Sequence, residues 1–249
     1  MIVSVINLSN GRLSDAEVHD AIRAVNRQVS EDFAPYWGFG GTLRLEGRAK
    51  RAKRIVSQSD MRGDAVLYIW DGEDEGGAEG YHDLAFRGIP YGIVFLGVSD
   101  KLDESWTVTL SHEALELIAD PEANLLVRGP HPNQPRRQVF FWFEMCDAVQ
   151  TETYNIDSIP VSNFLLPLYF TSSNERDGRN DFLGTQTRGK TLPSFGVNPA
   201  GYVGFFDPKT GKDHDFYAED DDIARKRLQL KRRLGTGRGS LRRRRTGGR

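Results

Sequence analysis

The spacing of apolar residues marks out the elements of this chain. Residues 2–8 are a short apolar run and read as a first strand. Ser14-Asp15-Ala16-Glu17 is a capping box. Val18, Ile22, Val25, Val29 and Phe33 follow at helical spacing, which predicts an amphipathic helix over 15–33, ended by Pro35 and the glycines of 38–41. Residues 42–45 alternate as a strand, 64–70 are apolar enough for a central strand, and 92–97 form the next. Between the last two, residues 71–83 read as an acidic, glycine-rich loop. A polar turn at 100–104 opens a helix whose buried side is Trp106, Leu110, Ala114, Leu117 and Ile118. His112, Glu113, Glu116 and Asp120 fall on the opposite arc, and Pro121 stops the helix.

Further on, residues 128–137 read as a loop rich in Pro and Arg, and 138–145 as a dense apolar strand ending at Glu144, Cys146 and Asp147. Residues 154–156 and 159–161 suggest a hairpin, 163–170 remain apolar, and 171–198 look irregular and polar. Residues 202–206 are the expected final strand, closed by a turn at 207–211. A short helix from about Ala218 to Leu230 would lead into the tail. The order of elements predicts an α+β fold, with one domain over 1–217 and a helix plus disordered tail over 218–249.

Hydrophobic content of 38% with 10% aromatic residues fits a folded chain. No apolar run approaches the ~20 residues that span a bilayer, and the first residues lack the basic flank of a signal peptide. The single cysteine, Cys146, excludes an intrachain disulfide and suggests a reducing, cytoplasmic setting. Residues 225–249 hold 12 of the 33 Lys/Arg and no Asp/Glu, so the first 224 residues carry 21 basic and 35 acidic side chains. Such a tail suits a solvated extension, an acidic partner, or nucleic acid held through phosphates. It has no aromatic residue to stack on bases, so nucleic-acid binding would be sequence-blind and salt-sensitive.

The chemistry concentrates in His112-Glu113-Ala114-Leu115-Glu116. Steps of four place His112, Glu116 and Asp120 on one helix face. This is how His-Glu-x-x-His helices present metal ligands beside a general base, with Glu116 here in place of the second histidine. The competing reading is an exposed acidic face. His82 could polarise a substrate or stabilise an oxyanion, or be a loop histidine bonded to Asp83; Tyr154 could donate to an oxyanion, or simply pack. Cys146 reads as a buried inert thiol rather than a ligand or nucleophile. No Gly-x-Ser-x-Gly elbow, phosphate-binding loop or EF-hand occurs.

Across roughly residues 1–170 the element order resembles the zincin metallopeptidase core, a mixed sheet over an active-site helix. At the level of sequence, the resemblance rests on Ser111 to Pro121 and Glu144 to Asp147. These segments are similar to a divergent bacterial group carrying His-Glu-x-x-Glu-x-x-x-Asp-Pro and then Glu-x-Cys-Asp. The resemblance implies His112 as first metal ligand, Glu113 as general base and Glu116 in the second ligand position. It implies a third ligand downstream, with Glu144 the first choice, then Asp120, then Asp147; beyond the core a C-terminal β-rich extension is expected. The implied cofactor is a divalent metal, Zn²⁺ first. Mn²⁺, Mg²⁺ or Ca²⁺ are also compatible, because a carboxylate in place of imidazole favours harder ions. The expected activity is metal-dependent hydrolysis of peptide bonds. The alternatives are a non-catalytic metal- or partner-binding protein, and a nucleic-acid accessory protein acting through its tail.

Overall fold

The computed structural model describes residues 1–46, 63–72, 80–84, 88–171, 178–186 and 189–218. The helix and basic tail expected beyond Ala218 lie outside the described residues, apart from Ala218 itself. The fold is α+β, and the chain divides into two compact units: Met1–Asp74 with Glu79–Ala123 and Thr153–Ser162, and Glu75–Ala78 with Asn124–Glu152 and Asn163–Arg249.

In the first unit, β1 (Ile2–Leu8), β2 (Thr42–Glu46), β3 (Ala65–Trp70), β4 (Gly80–Leu84) and β5 (Pro90–Phe95) form one sheet in the order β2-β1-β3-β5-β4. All neighbours are parallel except β4, which runs antiparallel along β5 at the edge. Parallel strands buried on both faces carry continuous apolar runs, as Val3 to Ile6 and Ala65 to Ile69 do here. Helix α1 (Asp15–Arg27) starts at the expected capping box, with Ser14 accepting from the Glu17 amide and Glu17 reaching back to the Ser14 amide. It buries Val18, Ala21, Ile22 and Val25. A π-helical turn (Gln28–Phe33) continues it into α2 (Ala34–Trp37), which ends at Gly38 in the left-handed conformation (φ 73°). Helix α3 (Leu96–Leu102) stands where the sequence suggested the end of a strand and a turn. Gly97 and the polar residues 99–101 hid it, while Val98 and Ser99 are buried.

Helix α4 (Trp106–Ala119) is capped by Ser105 and stops before Pro121. Its apolar spacing predicts one buried side; in the structure every residue from Thr107 to Ala119 is buried. The physical reason is that α4 is packed on several sides at once, by β4 and β5, by α1 and α3, and by β9 (Ile159–Ser162) of the hairpin formed with β8 (Thr153–Ile156). That hairpin turns through Asp157 and Ser158, both in left-handed backbone (φ 49° and 69°), as tight two-residue hairpin turns require.

The second unit carries an antiparallel sheet in the order β11-β10-β7-β6: β6 (Leu126–His131), β7 (Gln134–Trp142), β10 (Tyr202–Asp207) and β11 (Lys212–Tyr217). Residues 128–137, expected as a loop, are instead two strand segments joined by a tight turn. Pro130 is tolerated because β6 is an edge strand and the register shifts between Pro130 and His131. Strand β11 was also missed, since Lys-Asp-His-Asp carries the charge expected of a loop; here it lines an edge. Val139, Phe141, Ala148, Val149, Tyr169, Phe195 and Phe205 belong to this unit's own core, so the irregular stretch after 189 helps to build it.

Candidate metal centre

The first unit brings His82, His112, Glu113 and Glu116 together. Helix α4 supplies three of them and the antiparallel edge strand supplies the fourth. His82 was expected in a loop; it lies within β4, opposite Gly92 of β5. The acidic, glycine-rich composition around it reads as loop, but pairing with β5 satisfies the backbone and makes a strand.

His112 Nε2 lies 3.2 Å from Glu116 Oε1. His82 Nδ1 lies 3.5 Å from the other oxygen, Glu116 Oε2, and 3.7 Å from Glu113 Oε2. Donor atoms of His112, Glu113 and Glu116 all fall within 4.8 Å of one another. Two donors on one ion at ~2.1 Å are at most about 4.2 Å apart, so the 3.2, 3.5 and 3.7 Å pairs are each close enough to share a cation. All four side chains are buried, with Glu113 at 1% and Glu116 at 0% exposure. The exposed-face reading of this helix is therefore excluded. Withdrawing two ionised carboxylates from water costs several kcal/mol each unless positive charge compensates, so the pair, when ionised, calls for a cation or protonated imidazoles.

Ser111, one residue before His112, is held tightly. Its hydroxyl donates to Gln28 Oε1 at 2.6 Å and accepts from the Ser162 amide at 3.0 Å. Gln28 Nε2 donates to the Ser162 carbonyl at 2.7 Å. The Thr107 hydroxyl donates to the Pro160 carbonyl at 2.7 Å. These bonds tie α4 to β9 and to the π-turn of α1, the kind of helix irregularity that often accompanies function. No local pattern marks Gln28 or the Ser111 hydroxyl as part of this network, beyond a polar Gln28 beside the apolar positions Val25 and Val29 of a predicted helix.

Tyr154 and Asp120 stand outside these donor groups. The Tyr154 hydroxyl donates to Asp32 Oδ2 at 2.6 Å and accepts from Gln28 Nε2 at 3.2 Å, which gives it a place in this supporting network. Asp120 caps α4, its amide donating to the Glu116 carbonyl at 2.8 Å; it is buried but belongs to neither of the groups of mutually close donors found among the described residues. Glu144 and Asp147 are buried residues of the second unit, Glu144 just after β7 and Asp147 at the start of a single 3₁₀ turn. Cys146, between them, is a buried free thiol.

A scan of the chain against protein-family models and a search of curated proteins both find no match, so the functional reading rests on this geometry.

Proposed function

We propose that the chain is a divalent-metal-dependent hydrolase of zincin-like build, acting on peptide bonds. The observation that supports it best is the burial of Glu113 and Glu116 beside two imidazoles at 3.2 to 3.7 Å. Two ionised carboxylates with two neutral imidazoles sum to a charge of −2, which one divalent cation neutralises. Oxygen and imidazole donors together suit Zn²⁺ and Mn²⁺.

In this reading His112 and Glu116, one helical turn apart, hold the ion. Such an ion lowers the pKa of a water from 15.7 toward about 7 and polarises a carbonyl. Glu113 points its carboxylate into the same cluster and takes up the proton as general base. The Ser111–Gln28–Ser162 bonds hold the helix in register with the hairpin, so the donors converge before any substrate binds.

A second reading is favoured by the charge balance itself. Both imidazoles protonated would also neutralise the two glutamates, giving a buried ion-pair cluster without catalysis. Elemental analysis of purified protein separates the two. Stoichiometric Zn or Mn that is lost in His112→Ala and Glu116→Ala, with cleavage in a broad peptide panel that stops on chelation, is the expected result. Metal-free protein of unchanged stability in the presence of chelator would leave only the ion-pair cluster.

A further inference from the structure

We infer that this centre holds two cations, with Glu116 as the carboxylate that bridges them. The inference rests on the metal-dependent reading above and extends it from one ion to a pair.

The argument starts from how the two imidazoles address Glu116. His112 approaches Oε1 at 3.2 Å and His82 approaches Oε2 at 3.5 Å. They arrive from different elements, α4 and the edge strand β4. Two donors of one ion can be no farther apart than twice the bond length, about 4.2 Å. Yet among the described residues no group of three donors within 4.8 Å of one another contains both imidazoles. One group unites His112, Glu113 and Glu116; His82 and Glu116 fall together in the other. A single ion would have to abandon one imidazole or draw the strand and helix closer. Two ions need no such movement: each sits between one histidine and one oxygen of Glu116. A carboxylate bridging in this way spans ions about 3.5–4 Å apart, the separation of two-metal hydrolytic sites.

Donor supply sets the order of filling. An ion at His112 has both Glu113 and Glu116 within reach, whereas an ion at His82 has to share Glu116 with it, so the second binds more weakly.

Titrating metal-free full-length protein with Mn²⁺, followed by electron paramagnetic resonance, tests this. Two equivalents per chain, the second weaker than the first and accompanied by a spin-coupled signal, are expected. His82→Asn should keep the first equivalent and lose both the second and the coupling. Saturation at one uncoupled equivalent in the wild type overturns the bridged pair but leaves the hydrolase reading standing. No binding at all overturns both.

Discussion

Glu116 presents one oxygen to His112 and the other to His82 while showing no surface to solvent. In the proposed mechanism Glu113, its neighbour in charge, has a different task, since a general base matters for turnover far more than for holding an ion. Glu113→Gln keeps size and hydrogen-bonding capacity and removes the basicity. Turnover should fall by about 10²- to 10⁴-fold with metal content unchanged, read from peptide cleavage beside elemental analysis. Loss of the metal along with the activity would place Glu113 among the ligands instead. At this scale the sequence was informative where the chemistry is contiguous. His112, Glu113 and Glu116 lie within one turn and a half of helix, so their spacing alone brings them together. His82 is thirty residues upstream, and its approach to both glutamates depends on an edge strand whose pairing no local pattern announces.

The hold on the cluster is exerted by elements rather than by the four side chains alone. α4 is fastened to β9 by Ser111 and Thr107, and to the π-turn of α1 by Ser111 with Gln28. Ser111→Ala deletes a buried hydroxyl that both donates and accepts, leaving Gln28 Oε1 and the Ser162 amide short of a partner. Buried groups orphaned in this way cost about 1–3 kcal/mol each. Urea unfolding should show a loss of that size, and Mn²⁺ affinity should weaken with it. A Ser111→Ala protein within 0.5 kcal/mol of wild type by the same order-of-magnitude standard, with unaltered affinity, would show that this tie does not position the helix. The strands missed from the sequence share one cause. β6, β11 and β4 are all sheet edges, where prolines and charges are permitted because only one side is paired. The central strands β1 and β3 were readable from their unbroken apolar runs, because burial on both faces leaves no room for polar residues. The same logic failed on α4. A helix with an apolar stripe and a charged arc normally faces solvent on that arc, and only tertiary packing shows that the arc is enclosed.

Across the whole molecule, acidic side chains outnumber basic ones over the first 224 residues by 35 to 21, and some of that excess is buried. Glu152 in the second unit shows what this implies for pH. Its carboxylate accepts from Asn198 Nδ2 at 2.6 Å and from Asn163 Nδ2 at 2.7 Å, while Asn163 also donates to Asp181 at 2.9 Å. Burial raises the Glu152 pKa above the ordinary carboxylate value, the charge of Asp181 adds to that, and the two asparagine bonds oppose it. A carboxyl whose pKa is higher folded than unfolded binds its proton more tightly in the native state. Its stabilising contribution is therefore complete below the unfolded pKa of about 4.3. It is then lost as pH rises through the higher folded value, and stays flat beyond. This is opposite in sign to Asp207, whose pKa Arg137 draws down to about 2 and whose contribution is kept at neutral pH and lost only in strong acid. Glu152→Gln removes the titration while retaining the shape. Measured by urea midpoint, wild type should be ahead of the variant at pH 4 and should lose ground to it by pH 8, because only the wild type has to hold an ionised carboxylate against desolvation. A wild-type-minus-variant difference that stays constant between those two pH values would mean that Glu152 titrates alike in the folded and unfolded chain.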